Sequence, residues 1–419
     1  MLDRTIAPPF NRSTSFGLIQ PQKEILKNGA EAYFILGGTQ DVSKVEIVFP
    51  AGRWVEKVWG ASYFTSNLLS KGTRKKSSFE IAHLLDLYGA HLEIQPGLDN
   101  VSVSLYILNK NFEPAVTLLL EMLTESIFPQ AELDLLKSIY LQNLKINHEK
   151  TSFLASRLLR KKLFSETHPY GKELEEGDVV ELREESLQRH YTDYFKQATI
   201  FVSGKVSDNN RALVAGIFSG FQRNVIDPKT FINQDSKNSR EVVTKDGSVQ
   251  SSIRFGRRSI SKLHPDYLDA LFFNHILGGY FGSRLMKNIR EDKGLSYGIS
   301  SSLHALKNDS YIVIGADVNR ENLELTFNEI AKDLRKLRTE KIGNEELNIA
   351  RNHFIGSLQL EITTSFAHAD KIKNIVLFNL PLQYYQNMID RVDAITAHDL
   401  LRIADEYFAE DTFLEVAVG

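Results

Sequence analysis

An internal duplication constrains the fold of this chain more than any other feature of its sequence. The segment DYFKQATIFVSG at Asp193–Gly204 resembles EYFAEDTFLEVAVG at Glu406–Gly419, and its Tyr-Phe pair recurs 213 residues later. The segment AELDLLKSIYLQNL at Ala131–Leu144 resembles EELNIARNHFIGSL at Glu345–Leu358, and its Glu-Leu pair recurs 214 residues later. Chance similarity between amphipathic helices would not give two segments nearly the same spacing. The repeat therefore predicts two homologous α+β domains of about 200 residues each.

A polar stretch separates the two repeats. Residues 233–248 read NQDSKNSREVVTKDGS, a charged segment with few apolar residues, and such composition is typical of a linker. We therefore predict an N-terminal domain at residues 1–206, a linker at 207–246 and a C-terminal domain at 247–419. A chain of 419 residues is also longer than one ordinary hydrophobic core supports.

Local patterns predict the order of elements in the first domain. The Asn28-Gly29 dipeptide between two apolar runs indicates a hairpin. A serine followed by an amphipathic run and a glycine predicts a capped helix at Ser77–Ala90. Alternating and continuous apolar runs predict strands at Val45–Phe49 and Asn100–Leu108. Apolar residues with 3.6-residue periodicity predict three further helices, at Gly60–Gly72, Phe112–Ser126 and Ala131–Glu149.

Charge and composition exclude several classes of function. The formal net charge is −3, so the chain lacks the basic field of a nucleic-acid-binding protein. It has no cysteine, which excludes disulfides, thiolate metal sites and cysteine nucleophiles. No stretch is long and apolar enough to span a membrane, and the segment Met1–Phe10 lacks the apolar region of a signal peptide. We therefore expect a cytoplasmic protein, with the periplasm as the alternative.

One long motif in the second repeat resembles a known family. The segment GGYFGSRLMKNIREDKGLSYGIS at Gly278–Ser300 is similar to the C-terminal-domain signature of M16 peptidases, the pitrilysin, insulinase and mitochondrial processing peptidase family. The order of elements and the duplication agree with this resemblance along nearly the whole chain. It implies two homologous domains of the LuxS/MPP-like metallohydrolase type, each a mostly antiparallel sheet packed with helices.

The same resemblance implies a metal motif that this chain lacks. M16 peptidases bind zinc through an inverted His-x-x-Glu-His motif on the first helix of the first domain, completed by a distant glutamate. Anchored on Lys71-Gly72-Thr73, the motif falls on residues 63–67, and the distant ligand falls near Asn143. A phenol, a hydroxyl and two amides replace the imidazoles and carboxylates that zinc prefers, at Tyr63, Ser66, Asn67 and Asn143. We therefore expect no metal or other cofactor in this chain.

The histidines offer no alternative helical metal site. None of the eleven is followed by another at the i+3 or i+4 spacing of neighbouring helical ligands. His368-Ala369-Asp370 is the nearest approach to a ligand pair, and a capped or solvated helix face explains it better. A structural or surface role is therefore expected for each histidine.

Two residues of the second-domain motif are intact. Arg290 and Tyr297 stand seven residues apart, at a predicted helix end and a predicted strand start. By resemblance to the family, Tyr297 would donate its hydroxyl to the scissile carbonyl oxygen, and Arg290 would hold a nearby substrate carbonyl. Without the family, an arginine in a charged run and a tyrosine beside glycine would be a solvated face and a packing residue.

These observations predict half of a peptidase. In the preferred hypothesis the chain is the zinc-lacking subunit of a heterodimer of the bacterial M16B type, and a partner with His-x-x-Glu-His supplies the zinc. Extended peptides would be the substrates, since peptides of this family add a strand to a sheet edge. A self-associating protein that holds peptides is the second hypothesis. A structural protein, like the core subunits of the cytochrome bc1 complex, is the third.

Overall fold

Two β-sheets form the centre of the molecule. The computed structural model describes residues 15–220 and 238–419, together with Thr5 and Phe231. The first sheet has the order β1-β2-β6-β3-β5-β4, and all its neighbours are antiparallel except β2 and β6. Its strands are β1 Gln22–Ile25, β2 Glu31–Leu36, β3 Val42–Phe49, β4 His91–Pro96, β5 Val101–Leu108 and β6 Thr199–Gly204.

The second sheet repeats this topology with one strand fewer. Its order is β7-β11-β8-β10-β9, and only β7 and β11 are parallel. Strand for strand, β7-β11-β8-β10-β9 therefore corresponds to β2-β6-β3-β5-β4, and β1 is an addition to the first sheet. The duplicated α+β fold predicted from the sequence is confirmed. The strands are β7 Arg240–Val243, β8 Gln250–Arg258, β9 Ser296–Ala305, β10 Ser310–Asn319 and β11 Leu414–Val418.

The helices repeat in the same order around the two sheets. Those before β7 are α1 Ala61–Leu68, α2 Ser78–Tyr88, α3 Phe112–Thr124, α4 Gln130–His148, α5 Thr151–Phe164, α6 Glu176–Glu181, α7 Glu184–Tyr194 and α8 Asp208–Phe218. Those after β8 are α9 Tyr267–Asn274, α10 Leu323–Thr339, α11 Asn344–Leu360, α12 Ser365–Leu377, α13 Tyr384–Ala394 and α14 Ala397–Tyr407. Two π-helical turns follow α9, at His275–Gly279 and Met286–Asp292.

Capping chemistry sets the ends of α2 where the sequence predicted them. The Ser77 side chain accepts from the Glu80 backbone N–H, and the Glu80 carboxylate accepts from the Ser77 backbone N–H at 2.8 Å. The helix ends at Gly89, which has a φ of 59°. Glycine adopts this left-handed conformation without the steric cost that a side chain would add.

The predicted linker contains regular structure. Within 207–246 the chain forms α8, whose Val214 and Phe218 are buried in the core of the first sheet. It also forms β7, the parallel edge strand of the second sheet. Residues 221–230 and 232–237 of this segment lie outside the described residues. The division at 206 and 247 stays a prediction.

One helix of each domain packs against the sheet of the other domain. Helix α5 packs on β8 and β11, whereas α12, its counterpart in the repeat, packs on β2 and β6. The approach of α5 is close, because a methyl group at Gly256 would lie 2.6 Å from a methyl carbon of Leu159. This reciprocal exchange buries both faces of each sheet and joins the two domains through their cores.

A buried ion cluster ties β3 to α12. Lys44 and Glu46 lie on one face of β3, and their side chains are 5% and 2% exposed. The Lys44 Nζ lies 2.8 Å from Glu46 Oε2 and 3.2 Å from Asp370 Oδ1, and Lys373 Nζ lies 2.6 Å from Glu46 Oε1. Burial opposes the charge on Lys44, but the Glu46 carboxylate outweighs it and raises the pKa of Lys44 above its ordinary value. Lys44 is therefore charged at neutral pH.

Among the described helices, none combines the length and apolar character that crossing a bilayer requires.

Candidate functional site

Helix α1 carries the residues that fall on the inverted zinc motif. The Tyr63 ring packs against Tyr140 of α4, with ring centroids 5.2 Å apart and an edge-to-face angle of 65°. The fully buried Phe64 also contacts Tyr140, at 5.6 Å. Aromatic packing therefore holds α1 against α4 at the position where the family motif would place a metal.

The polar side chains of α1 bond to their own helix. The buried Ser66 Oγ donates to the Ser62 carbonyl at 2.6 Å, and Asn67 Nδ2 donates to the Tyr63 carbonyl at 2.8 Å. Burial raises the pKa of Tyr63, so its phenol stays protonated at neutral pH. A protonated phenol, a hydroxyl and an amide that is already hydrogen-bonded are poor donors to a divalent cation.

The predicted set lies on two helices that pack against each other, α1 and α4. Tyr63 and Asn67 lie one turn apart on α1, and Tyr140 of α4 lies against Tyr63. Asn143 is exposed on α4, three residues beyond Tyr140. In the part of the chain that the structure describes, no group of three or more His, Cys, Asp or Glu side chains is arranged to hold a metal ion.

A carboxylate that the sequence analysis did not consider caps α1. The buried Glu56 accepts from the backbone N–H groups of Gly60 at 3.1 Å and Ser62 at 2.7 Å. These are free amide groups of the first helical turn, where a negative charge is also favoured by the helix dipole. The Glu56 charge is therefore used for the helix start.

Arg290 and Tyr297 form a contact on the second domain. The guanidinium carbon of Arg290 lies 4.9 Å from the centroid of the Tyr297 ring and 4.9 Å from that of Phe281, within cation–π distance of both. Tyr297 is 89% exposed, and Phe281 is 60% exposed. Phe281 was not singled out from the sequence, although it lies within the M16-like motif.

A β-bulge gives Tyr297 its exposure. Residue Ala316 of β10 pairs with Ile299 and Val318 pairs with Ser296, so Tyr297 and Gly298 both stand opposite Asp317. The Ser296 Oγ donates to the Asp317 carbonyl at 2.7 Å and accepts from the Gly298 N–H at 3.2 Å, which closes the bulge. Bulges often re-aim a side chain beside an active site.

The turn between the two residues is also fixed. Gly294 has a φ of 60°, and the Leu295 N–H donates to the Ile289 carbonyl at 2.9 Å. Leu295 itself is buried in the core of the second domain. Upstream in the same motif, the Arg284 guanidinium makes a two-pronged contact with Glu346 of α11, at 2.5 and 2.7 Å. The motif therefore holds Arg290 and Tyr297 in one arrangement before any ligand binds.

Comparison with known families places both halves of the chain. Residues 37–175 match the family described as insulinase, peptidase family M16. Residues 182–354 match the family described as the peptidase M16 inactive domain. The two matches together cover roughly three quarters of the chain, and they confirm the resemblance seen in the sequence.

Relatives of known name carry conflicting descriptions. The chain is 23% identical over 357 residues to the uncharacterized zinc protease YmxG of Bacillus subtilis, covering 84% of this chain and 86% of that protein. It is 21% identical over 350 residues to the non-peptidase homolog YmxG of Helicobacter pylori, covering 81% and 80%. A crystal structure of a peptidase M16 inactive domain from Pseudomonas fluorescens superposes with a TM-score of 0.88 at 22% identity, covering 95% of this chain and 98% of that chain, which shows a shared fold.

Proposed function

This chain belongs to the M16 peptidase family, and we propose that it is the zinc-free subunit of a two-chain peptidase of the bacterial M16B type. It contributes Arg290 and Tyr297 to the active site. A partner chain with an intact His-x-x-Glu-His motif contributes the metal and the general base. The name of the Helicobacter pylori relative and the match to the M16 inactive domain support an inactive homologue, whereas the division of roles between two chains is our proposal.

The exposed Tyr297 and its half-buried neighbour Arg290 carry this proposal. A tyrosine that only packs is buried, but Tyr297 is 89% exposed. An arginine on a solvated helix face does not need aromatic partners, whereas the guanidinium carbon of Arg290 lies 4.9 Å from the ring centroids of Phe281 and Tyr297. In the described part of the chain, no carboxylate lies within ion-pair distance of its guanidinium. Both donors therefore remain available to a substrate.

The chemistry follows from the two donors. When a peptide carbonyl is attacked, its oxygen becomes an oxyanion, and the Tyr297 hydroxyl donates to that charge. The Arg290 guanidinium holds a neighbouring carbonyl and adds a fixed positive charge. Donors that are already oriented stabilise the transition state without reorganisation, and they often supply a large part of catalysis. Zinc on the partner chain would activate the attacking water.

An extended peptide fits the surface beside the pair. Strand β9 begins at Ser296 and ends the second sheet on the side away from β10. An edge strand is the kind of element to which a peptide adds a strand, which gives affinity with loose sequence preference. We infer that unfolded peptides are the substrates. The formal net charge of −3 gives no support for a nucleic-acid partner.

A second function keeps the same surface without hydrolysis. The Helicobacter pylori relative is described as a non-peptidase homolog, which favours a protein that self-associates and holds peptides with Arg290 and Tyr297 as a clamp. A purely structural role, like that of the bc1 core subunits, leaves the exposed pair without a purpose and ranks last.

Reconstitution tests the proposal. The chain is purified from its native host, the co-purifying partner is identified, and peptidase activity is measured for each chain alone and for the mixture. Activity should require both chains. Tyr297→Phe should then lower kcat by about 10²–10³-fold, whereas Arg290→Met should mainly raise KM. Tyr88→Phe, which changes a tyrosine of α2 in the other domain, is the matched control.

Two results would overturn the proposal. A Tyr297→Phe mixture as active as wild type means that the hydroxyl does not act on the substrate. Zinc held tightly at one equivalent by the isolated chain, and lost when Tyr63 and Asn67 are both changed to alanine, means that the first domain binds metal after all. A mixture that is inactive but binds peptide, with binding lost in Arg290→Met, favours the clamp.

A further inference from the structure

Two histidines that are far apart in sequence meet on the second domain. His275 begins the π-helical turn after α9, and His353 lies on α11. His275 Nε2 lies 3.2 Å from His353 Nδ1, and the ring centroids are 5.1 Å apart. The Ser357 Oγ lies 3.4 Å from the same His353 nitrogen. The two rings therefore direct nitrogen atoms toward one small volume.

The duplication gives this cluster a meaning. Helices α9 and α11 are the second-domain counterparts of α1 and α4, the helices on which the first-domain motif positions lie. The packing repeats as well, since Phe272 contacts Phe354 at 5.6 Å, as Phe64 contacts Tyr140 at 5.6 Å. The cluster therefore lies at the place in the second domain that corresponds to the degenerate metal position in the first.

The correspondence extends to single residues. His275 follows Phe272 by three residues, as Asn67 follows Phe64. Ser357 follows Phe354 by three residues, as Asn143 follows Tyr140. His353 immediately precedes Phe354 and adds a second imidazole. The second domain thus has the imidazole of His275 where the first domain has the amide of Asn67, and a second imidazole, His353, where the first domain has Ile139.

The spacing of the two rings suits a shared metal ion. Zinc–nitrogen bonds of about 2.0–2.1 Å at a tetrahedral angle place two imidazole nitrogens about 3.3 Å apart and their ring centroids about 5.2 Å apart. The observed separations are 3.2 and 5.1 Å. A straight N–H···N hydrogen bond of this length would place the centroids about 5.5 Å apart. The two rings are therefore inclined toward a common point, as two ligands of one ion would be.

The surroundings restrain both rings and leave space beside them. Tyr280 stacks on His275 at 4.7 Å and contacts His353 at 4.6 Å with a ring tilt of 34°, which restrains both rings. Both rings border a cavity of about 350 Å³. The cavity gives a metal an entry path and leaves room for further ligands.

We propose that His275 and His353 form a binding site for a borderline divalent cation such as Zn²⁺, Co²⁺ or Ni²⁺, with water or a cavity ligand in the remaining positions. With two protein donors instead of four, the dissociation constant should be on the order of 1–100 µM. The site does not depend on a partner chain or on Arg290 and Tyr297. Its failure and that of the proposed peptidase role are therefore separate results.

Metal titration of the full chain tests the site. Protein stripped with a chelator is titrated with Zn²⁺ by calorimetry and with Co²⁺ by visible absorption. Wild type should bind one equivalent saturably, and the cobalt spectrum should show nitrogen ligation. His353→Gln should weaken binding at least about tenfold. This substitution lies on an exposed position of α11, so the fold should persist, which circular dichroism and the thermal midpoint will check.

Matched variants complete the test. His275→Gln should weaken binding as much as His353→Gln. His83→Gln changes an exposed histidine of α2 in the other domain and should leave the affinity within about twofold. The proposal is overturned if wild type shows no saturable binding up to about 1 mM. It is also overturned if His353→Gln binds as tightly as His83→Gln.

Discussion

The buried ion cluster between β3 and α12 gives the most direct test of how the two domains are joined. Glu46 lies between two ammonium groups, Lys44 Nζ at 2.8 Å and Lys373 Nζ at 2.6 Å. Glu46→Gln keeps the shape of the side chain and removes its charge. Asp370 is then the remaining carboxylate near both lysines, at 3.2 and 3.3 Å, and its side chain is 53% exposed.

The expected loss of stability follows from this geometry. Breaking a buried ion pair by removing one partner costs about 3–5 kcal/mol, because a charge is left buried without compensation. Since Asp370 still contacts both lysines, we expect the lower end, about 3 kcal/mol. For 419 residues the unfolding entropy is about 0.9 kcal/mol per degree, so the thermal midpoint should fall by about 3–4 °C.

Urea unfolding and scanning calorimetry measure the effect, and an exposed pair supplies the control. Lys23 and Glu31 lie 2.6 Å apart with side chains 45% and 41% exposed, and Glu31→Gln should cost less than about 1 kcal/mol. If Glu46→Gln costs no more than Glu31→Gln, burial does not strengthen the cluster and the argument fails. The double substitution Lys44→Met with Glu46→Leu should restore most of the lost stability, since neither buried charge remains.

Three further substitutions test other contacts by the free energy of unfolding. Burial, and then Lys371, lower the pKa of Lys262 to about 8. Because an unfolded lysine titrates near 10.4, the free energy of unfolding of the wild type should rise between about pH 8 and 10.4. Lys262→Met should abolish that rise and stabilise the protein by about 1–3 kcal/mol at pH 7. Gly256→Ala should lower the free energy of unfolding by about 1–3 kcal/mol, because its methyl group would meet Leu159. The same substitution should cost less in a Leu159→Ala background. Equal costs in both backgrounds would contradict the close contact. Ser77→Ala should cost about 1 kcal/mol, and Ser70→Ala, outside the cap of α2, should cost less; equal losses would contradict the cap.

Elements defined by local chemistry could be predicted closely from the sequence. Helix α2 was expected at Ser77–Ala90 and spans Ser78–Tyr88, because a serine cap and a terminal glycine act within a few residues. Strand β4, His91–Pro96, was not predicted. It is an edge strand without a fully buried residue, although His91–Gln95 alternates polar and apolar residues and so carries a short strand signal. Its place depends on pairing with β5, which is a tertiary contact.

The exposure of Tyr297 also depends on tertiary structure. The family-like motif pointed to the residue, but the motif alone allowed a packing role as well. What separates the two roles is the bulge opposite Asp317, and a bulge is a property of the register between β9 and β10. No pattern within β9 reports that register.

The histidine pair shows the limit of spacing rules. A search at i+3 and i+4 tests neighbours on one helix, whereas His275 and His353 are 78 residues apart and meet across two elements. The duplication was the one signal in the sequence that could have brought them together. The repeat spacing of 214 residues places His353 one residue before the counterpart of Tyr140. His275 stands opposite Asn67 only when α9 is matched to α1 in the structure.

The two domains use the same fold differently, and this difference supports our proposal that the chain does not act alone. On the first domain, Tyr63 packs against Tyr140 and the amide of Asn67 bonds to its own helix, so the polar groups are satisfied internally. On the second, Tyr297 is 89% exposed beside Arg290. An aromatic side chain that is held in solvent contributes little packing energy to the fold. Such an arrangement is expected where another molecule completes the surface, because the donors then face the charge that they are oriented to stabilise.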